Sequence, residues 1–125
     1  MIHLDSNYLI SGVKRTTPEA SAIQQWLLNG EILACSTITW SEFLNGPVTP
    51  AQVATARAFL TGGCADFEEA HAERAADLFN RIGRLRRLKF DCLIAASAIV
   101  AGAELATGNA TDFRLFVPHG LKLAP

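Results

Sequence analysis

The sequence predicts one α/β domain, residues 1–125, folded as a three-layer α/β/α sandwich with a mainly parallel sheet. Short apolar segments typical of buried strands alternate with longer segments of helical periodicity, which is the pattern of βα units. Hydrophobic residues make up 50% of the chain and charged residues 18%, as in globular proteins. A chain of this length buries about two thirds of its unfolded surface, so we expect a single compact core.

The first strand is predicted at Ile2–Leu4, a short apolar segment. Ser6 is a helix-capping residue type and predicts a brief helix, Asn7–Gly12, that ends at its glycine. A second helix is expected from Pro18 to Gly30, because proline favours the first helical turn and apolar residues then recur at helical spacing. Strand and helix therefore alternate from the beginning of the chain.

The middle of the chain continues this alternation. The segment Glu31–Ser36 contains a strand of buried type, and a third helix is expected from near Thr39 to Asn45. A fourth helix begins at Thr49-Pro50 and is closed by two glycines. A short strand is expected after them, at Ala65–Phe67.

The last part of the chain carries the two strongest helical patterns. An amphipathic helix is predicted over Glu68–Arg86. The next helix, Phe90–Ala103, is apolar on every side, which predicts a helix buried in the core, and it is shorter than the roughly 20 residues that cross a membrane. Two more strands are expected, at Ala103–Thr107 and, on the sheet edge, at Leu121–Leu123.

Nothing in the sequence indicates export or a membrane. The N-terminal segment M-I-H-L-D lacks the basic and long apolar regions of a signal peptide, so a cytoplasmic location is expected. Cys35, Cys64 and Cys92 lack C-x-x-C spacing and lie beside apolar residues, which predicts buried, reduced thiols. The net charge of −1 by itself indicates no polyanionic partner.

Basic residues are concentrated in one segment, R-I-G-R-L-R-R-L-K, which leads into Asp91. A solvated helix end explains them without a function, because the helix dipole favours basic side chains at a C-terminus. The same cluster would bind RNA phosphates if it lay beside a nuclease site. The candidates for RNA contact are Arg81, Arg84, Arg86, Arg87 and Lys89.

Four carboxylates are expected to meet at one edge of the sheet. In open parallel sheets, ligands bind beyond the carboxyl ends of the strands. Asp5, Glu42 and Asp112 each follow a predicted strand closely, and Asp91 begins the apolar helix. Packing rarely requires a carboxylate at the end of a buried strand, so Asp5 in particular indicates a functional site.

Helix capping is the competing explanation for the other three carboxylates. Thr39-x-x-Glu42 fits a capping box, and Asn109-x-x-Asp112 resembles one with Asp in place of Glu. Asp91 is placed to cap its own helix. For any one of these residues alone, capping is the simpler interpretation.

The four carboxylates taken as a group predict a metal site. Carboxylates in one cleft repel one another and raise one another's pKa values unless a cation neutralises them. Oxygen ligands without Cys or His select Mg²⁺ or Mn²⁺. Such a site supports water activation and phosphoryl transfer.

Four segments together resemble the PIN-domain ribonucleases, in particular the VapC-type toxins of bacterial toxin–antitoxin pairs. These segments are D-S-N-Y-L-I, T-W-S-E-F, F-D-C-L-I-A-A-S-A and T-G-N-A-T-D-F, in the family's order over residues 1–116. The resemblance implies an endoribonuclease that uses Mg²⁺ or Mn²⁺ to cleave structured RNA such as tRNA, forms a homodimer and is inhibited by a cognate antitoxin.

The resemblance also implies the residues of the site. The chain departs from the family's pattern at Gly108, where a basic residue often precedes the asparagine, and this affects RNA affinity rather than catalysis. The implied catalytic and metal-binding acids are Asp5, Glu42, Asp91 and Asp112, with Ser6 and Asn109 as polar supports.

Two other interpretations are open. A receiver-type phosphoacceptor domain needs paired acids after the first strand and a late lysine, whereas this chain has only Asp5 and Lys122. A PIN-like scaffold that binds RNA or protein without cleaving would share the fold, although the complete acidic set favours an enzyme. Glycine-rich phosphate loops, serine-nucleophile elbows and zinc-protease motifs are missing. His3, expected in the core, and His71 and His119 show no metal or triad spacing.

Overall fold

The computed structural model of the protein describes residues 1–125. Five strands form one sheet, flanked by seven α-helices and two 3-10 turns, Arg86–Leu88 and Arg114–His119. The strands are β1 (Ile2–Leu4), β2 (Leu33–Ser36), β3 (Gly63–Ala65), β4 (Glu104–Ala106) and β5 (Lys122–Leu123). The helices are α1 (Ser6–Gly12), α2 (Pro18–Leu28), α3 (Thr37–Asn45), α4 (Pro50–Phe59), α5 (Glu69–Arg81), α6 (Lys89–Ala101) and α7 (Ala110–Phe113).

All strands run parallel, in the order β3-β2-β1-β4-β5. Two apolar clusters fill the spaces on either side of the sheet. Residues of α1–α4 pack with Ile2 and Leu4 in one cluster, and residues of α5–α7 pack with Leu105 in the other. Because helices cover both faces, β1 and β2 are buried throughout. The predicted α/β/α class with a parallel sheet is confirmed.

Three predicted boundaries in the first half are wrong by one or two residues. α1 begins at Ser6, and its cap is Asp5, whose carboxylate accepts a hydrogen bond from the Ser6 N–H. α3 begins at Thr37, because Ser36 supplies its cap, rather than near Thr39. β3 covers Gly63–Ala65 instead of Ala65–Phe67 and pairs in parallel with β2. The two helix shifts change which side chains cap α1 and α3.

The basic segment is a turn and not the end of a long helix. α5 ends at Arg81, where the prediction extended to Arg86. Gly83 and Arg84 both adopt positive φ, at 89° and 59°, and this left-handed backbone ends helical continuation. α6 then runs to Ala101 and stops at Gly102, whose φ of 66° is the left-handed conformation of a helix C-terminus.

α6 is buried on most but not all of its surface. Its central residues, Ile94–Ala98, are buried, as predicted for an apolar helix. Phe90 and Val100, near its two ends, are 64% and 44% exposed. The prediction of burial on every side is therefore wrong at the ends. No helix of the protein has the length and apolar character needed to cross a membrane.

The three cysteines are free thiols, as predicted. Cys35 and Cys92 are buried, while Cys64 is only half-buried. The sulfur atoms of Cys35 and Cys64 lie 3.7 Å apart, because these residues are direct neighbours in the parallel pairing of β2 and β3.

The strand order determines where a ligand is expected. The chain passes from β1 to β2 and β3 on one side and then returns to β4 on the other side of β1. This reversal lies between β1 and β4, and crevices of open α/β sheets form at such points, outside the carboxyl ends of the strands. α3 follows β2 directly at this edge. α6 begins at the same edge, because it ends just before β4 starts.

Candidate active site

Asp5 follows β1 at the carboxyl edge and is 5% exposed. One carboxylate oxygen accepts a hydrogen bond from the Ser6 N–H at 2.8 Å, and the other accepts one from the Thr107 hydroxyl at 2.7 Å. Burial raises the pKa of Asp5, and the hydrogen bonds from Thr107 and Ser6 oppose that rise. Asp5 is therefore a fixed carboxylate that also caps α1, a structural role that the sequence analysis did not assign to it.

Glu42 lies in the second turn of α3, too far along the helix to cap it. The Ser36 hydroxyl takes the capping role and accepts a hydrogen bond from the Thr39 N–H at 3.0 Å, so the capping-box interpretation of Thr39 and Glu42 is wrong. The Oε1 atom of Glu42 is buried and has no hydrogen-bond partner. Burial, followed by the charges of Asp5 and Asp91, raises the pKa of Glu42. A buried carboxylate oxygen without a partner is costly unless it binds a proton or a cation.

Asp91 is the third residue of α6 and does not cap it. The cap position is Leu88, which makes no side-chain capping hydrogen bond. Burial first, and then the charges of Asp5 and Asp112, raise the pKa of Asp91 to about 6, with Arg87 acting in the opposite direction. A helix N-terminus favours the charged carboxylate. Burial and repulsion by the neighbouring carboxylates act against this effect.

Asp112 differs from the other three carboxylates. It accepts hydrogen bonds from the Arg87 guanidinium at 2.8 Å and from the Asn109 side-chain amide at 3.0 Å. These hydrogen bonds, with the Arg87 charge, hold the pKa of Asp112 below its usual value. Asn109 precedes α7 but makes no capping hydrogen bond, so the resemblance to a capping box is wrong. Asn109 instead orients Asp112.

Thr107 is a site residue that the sequence analysis missed. Its hydroxyl donates to Asp5 and accepts a hydrogen bond from the Asn109 N–H at 2.9 Å, which connects the ends of β1 and β4. The pairing of Leu4 with Ala106 places the next residues of the two strands side by side. The available signal was the position of Thr107 at the carboxyl end of a predicted strand.

Gly108, where the sequence departs from the family pattern, contacts Asn7. Its N–H donates to Asn7 Oδ1 at 2.9 Å. A Cβ atom at this position would lie 3.1 Å from Asn7 Nδ2, closer than ordinary van der Waals contact. A larger residue here would therefore require the Asn7 side chain to move.

The structure brings three of the predicted carboxylates together at the reversal of strand order. The charges of Asp5, Glu42 and Asp91 act on one another, and Asp112 lies beside Asp91 while paired with Arg87. No group of three or more His, Cys, Asp or Glu side chains is arranged to hold a metal ion as the side chains stand. The donor chemistry nevertheless fits Mg²⁺ or Mn²⁺, because all donors are oxygens and Glu42 Oε1 is buried without a partner.

The basic segment contributes one direct contact to this site. All five of its predicted RNA-contacting residues are exposed, and Arg87 alone contacts a predicted acidic residue. The other four make no contact with the acids of this site. Arg81 forms an ion pair with Asp77, and Arg84 donates a hydrogen bond to Asn80. Lys89 lies 5.6 Å from the centre of the Phe79 ring, and Arg86 is exposed.

Several solved structures share this fold. A chain in the crystal structure of VapBC2 from Rickettsia felis, bound to a DNA fragment from the promoter, matches with a TM-score of 0.74 and 21% identity, over 99% of this chain and 98% of that chain. A toxin–antitoxin complex from Klebsiella pneumoniae matches with a TM-score of 0.71 and 28% identity, over 90% of each chain. FitAcB from Neisseria gonorrhoeae matches with a TM-score of 0.73 and 17% identity, over 100% of this chain and 97% of that chain.

Sequence comparison gives the family. A search of curated proteins finds no match. The PIN domain, by contrast, matches residues 2–115, which include β1–β4, all four predicted acidic residues, Thr107 and Asn109. With its five-stranded parallel sheet and its carboxylates at the reversal of strand order, this chain belongs to the PIN domain family.

Proposed function

We propose that this chain is a metal-dependent endoribonuclease toxin of the VapC type, which cleaves structured RNA such as tRNA. PIN domains are typically nucleases that use a divalent metal. The observation that carries the proposal is the buried oxygen of Glu42, which lacks a hydrogen-bond partner while facing the charges of Asp5 and Asp91. A bound cation would give this oxygen its missing partner and offset the three charges.

Asp5, Glu42 and Asp91 would hold Mg²⁺ or Mn²⁺, with Asp112 as a fourth ligand. When bound, the metal lowers the pKa of a water molecule and offsets the charge of a phosphodiester. The chain's own residues prepare the acids for this task. Thr107 and the Ser6 N–H fix both oxygens of Asp5.

Arg87 and Asn109 act on the RNA side of the proposed site. Asn109 orients one oxygen of Asp112, and Arg87 binds the other. The Arg87 side chain is 62% exposed, so its guanidinium is accessible to a phosphate of the substrate. We assign to Arg87 the placement of the RNA backbone, and to the remaining basic residues of the segment a weaker, general attraction for RNA.

The proposed partners are a cognate antitoxin and a second copy of the chain. The solved structures that share the fold include toxin–antitoxin complexes, which supports an antitoxin partner. A non-catalytic PIN scaffold is the competing proposal. It is favoured by the ion pair between Arg87 and Asp112 and by the lack of a preassembled metal-binding group.

The first test is cleavage of folded tRNA by the purified protein. With Mn²⁺ or Mg²⁺ we expect endonucleolytic products that end in a 5′-phosphate and a 3′-hydroxyl, and we expect a chelator to stop the reaction. The products are separated by electrophoresis and their ends mapped by enzymatic labelling. Protein that binds RNA or a partner but leaves a panel of structured RNAs intact with every divalent metal would favour the scaffold.

The second test measures metal binding without any RNA. A metal that binds only the folded protein at a hundredfold excess over its dissociation constant stabilises it by about 2.7 kcal/mol. For a domain of this size, we expect the melting temperature to rise by roughly 10 °C. A melting temperature that stays constant up to millimolar Mn²⁺ would contradict the proposed metal site.

A further inference from the structure

Phe90 is an exposed aromatic side chain at the start of α6. It is 64% exposed, and it is the only aromatic residue among the ten large apolar side chains at the surface. Single exposed apolar side chains are common and need no explanation by themselves. Phe90 is distinguished by its location, because it directly precedes Asp91 and lines a cavity beside the carboxylates.

This cavity lies between α3 and the start of α6 and has a volume of about 380 Å³. Its α3 side carries residues at helical spacing, so they share one face of that helix. Glu42 lines the cavity and also faces Asp5 and Asp91, so the cavity opens beside the proposed metal ligands. Its lining residues are Ile38, Ser41, Glu42, Asn45 and Phe90.

The lining matches the chemistry of an unpaired nucleobase. The ring of Phe90 offers an aromatic face, and bases stack on such faces irrespective of sequence. The hydroxyl of Ser41 and the amide of Asn45 each supply a donor and an acceptor for the edge of a base. The volume lies at the lower end of the roughly 300–1,000 Å³ range of ligand pockets, which suits one base rather than a folded partner.

We propose that this cavity binds one unpaired base of the RNA, stacked on Phe90, next to the phosphate that is cleaved. The inference rests on the proposed ribonuclease function and specifies its substrate. Proteins recognise single-stranded loops and bulges of RNA by splaying out unstacked bases onto aromatic side chains.

The experiment compares Phe90→Ala and Phe90→Tyr with wild type, and Val100→Ala serves as a matched control. Val100 is an exposed apolar residue near the opposite end of the same helix. Phe90→Ala should lower kcat/KM for loop cleavage by about 5- to 150-fold, the range expected for loss of one stacked base. Phe90→Tyr and Val100→Ala should stay near wild type. Because Phe90 is largely exposed, all variants should melt near the wild-type temperature.

A second measurement does not depend on cleavage. Short single-stranded RNA carrying one 2-aminopurine is titrated with each protein in a metal chelator, and stacking is followed as quenching of the base fluorescence. Wild type, Phe90→Tyr and Val100→Ala should quench, and Phe90→Ala should not.

The two measurements separate the two proposals. Quenching by a wild-type protein that cleaves no RNA would contradict the ribonuclease and retain the base-binding cavity. Equal quenching by wild type and Phe90→Ala, or unchanged kcat/KM in Phe90→Ala, would overturn the role of Phe90. Conversion of a wild-type dimer to a monomer by Phe90→Ala, seen in sedimentation, would also overturn it, because the ring would then belong to a protein interface.

Discussion

Replacing Asp91 with Asn is expected to reduce Mn²⁺-dependent RNA cleavage by at least about a hundredfold, because loss of even a group that supports a metal ligand costs 10–100-fold. The same variant, freed of metal, should melt at the wild-type temperature or above it. Cleavage rates at saturating Mn²⁺ and melting curves in a chelator measure the two effects separately.

The stability half of this prediction follows from electrostatics. Asp91 is charged at pH 7, yet burial and the charges of Asp5 and Asp112 raise its pKa to about 6, so its ionised form is disfavoured in the fold. Asn has a similar shape to Asp and carries no charge. Replacing Asp91 with Asn therefore removes both the cost of burying a charge and the repulsion by Asp5 and Asp112. The helix dipole offsets part of this gain, by about 0.3–1 kcal/mol at an exposed N-terminus and by up to about 2 kcal/mol at a partly buried one.

An exposed carboxylate on α5 provides the control for Asp91→Asn. Asp77 pairs with Arg81 and Arg74, and hydrogen bonding by Arg81 holds its pKa below the usual value. Asp77→Asn should therefore leave cleavage unchanged and should not raise the melting temperature. Wild-type cleavage by Asp91→Asn, or a fall in its metal-free stability, would contradict the role assigned to Asp91.

Local signals predicted the elements of this fold well. The alternation of short apolar segments and helical patterns indicated all five strands, and the short apolar segments at Ile2–Leu4 and Leu33–Ser36 indicated buried strands. Capping was predicted less well, because neighbouring residues offered equivalent signals. Ser36 and Thr39 are both capping types, and only the folded backbone shows that α3 starts after Ser36. With Ser36 as the cap of α3, Glu42 lies beyond the position of a capping-box residue.

Contacts between distant segments could not be predicted from local patterns. The hydrogen bond from Thr107 to Asp5 depends on β4 pairing with β1, and periodicity contains no information about strand order. The ion pair of Arg87 with Asp112 likewise depends on the basic segment forming a turn. The sequence therefore indicated the four acids and their polar supports Ser6 and Asn109, but not the hydrogen bond from Thr107 to Asp5 or the ion pair of Arg87 with Asp112.

His3 gives the protein a predictable weakness in acid. It lies in β1 with 2% of its surface exposed, and its Nδ1 atom is buried without a hydrogen-bond partner. Burial, followed by the positive charges of His71 and the N-terminus, lowers the pKa of His3 from 6.5 to about 4. The folded protein therefore keeps His3 neutral over a range in which the unfolded chain takes up a proton.

The sign of the effect follows from proton linkage. Between pH 6.5 and 4 the unfolded state binds the proton on His3 and the folded state does not, so the free energy of unfolding decreases as the pH falls. Over this whole pH range, His3 alone lowers the free energy of unfolding by about 3 kcal/mol. Asp91 has the opposite effect on the free energy of unfolding. Because its pKa is raised to about 6, the folded state takes up a proton on Asp91 at a higher pH than the unfolded state does, and this uptake stabilises the fold as the pH falls below 6.

His3→Leu should therefore reverse the acid response of the metal-free protein. In His3→Leu, the free energy of unfolding should stay constant or increase as the pH falls from 6.5 to 4. In Asp91→Asn, the free energy of unfolding should fall more steeply with decreasing pH than it does in wild type. Denaturant unfolding in a chelator at several pH values measures these slopes. A His3→Leu protein that loses stability in acid as steeply as wild type would show that the buried imidazole is not the group responsible. Leucine also removes the unpaired Nδ1 atom, so stability at pH 7 should be maintained or raised.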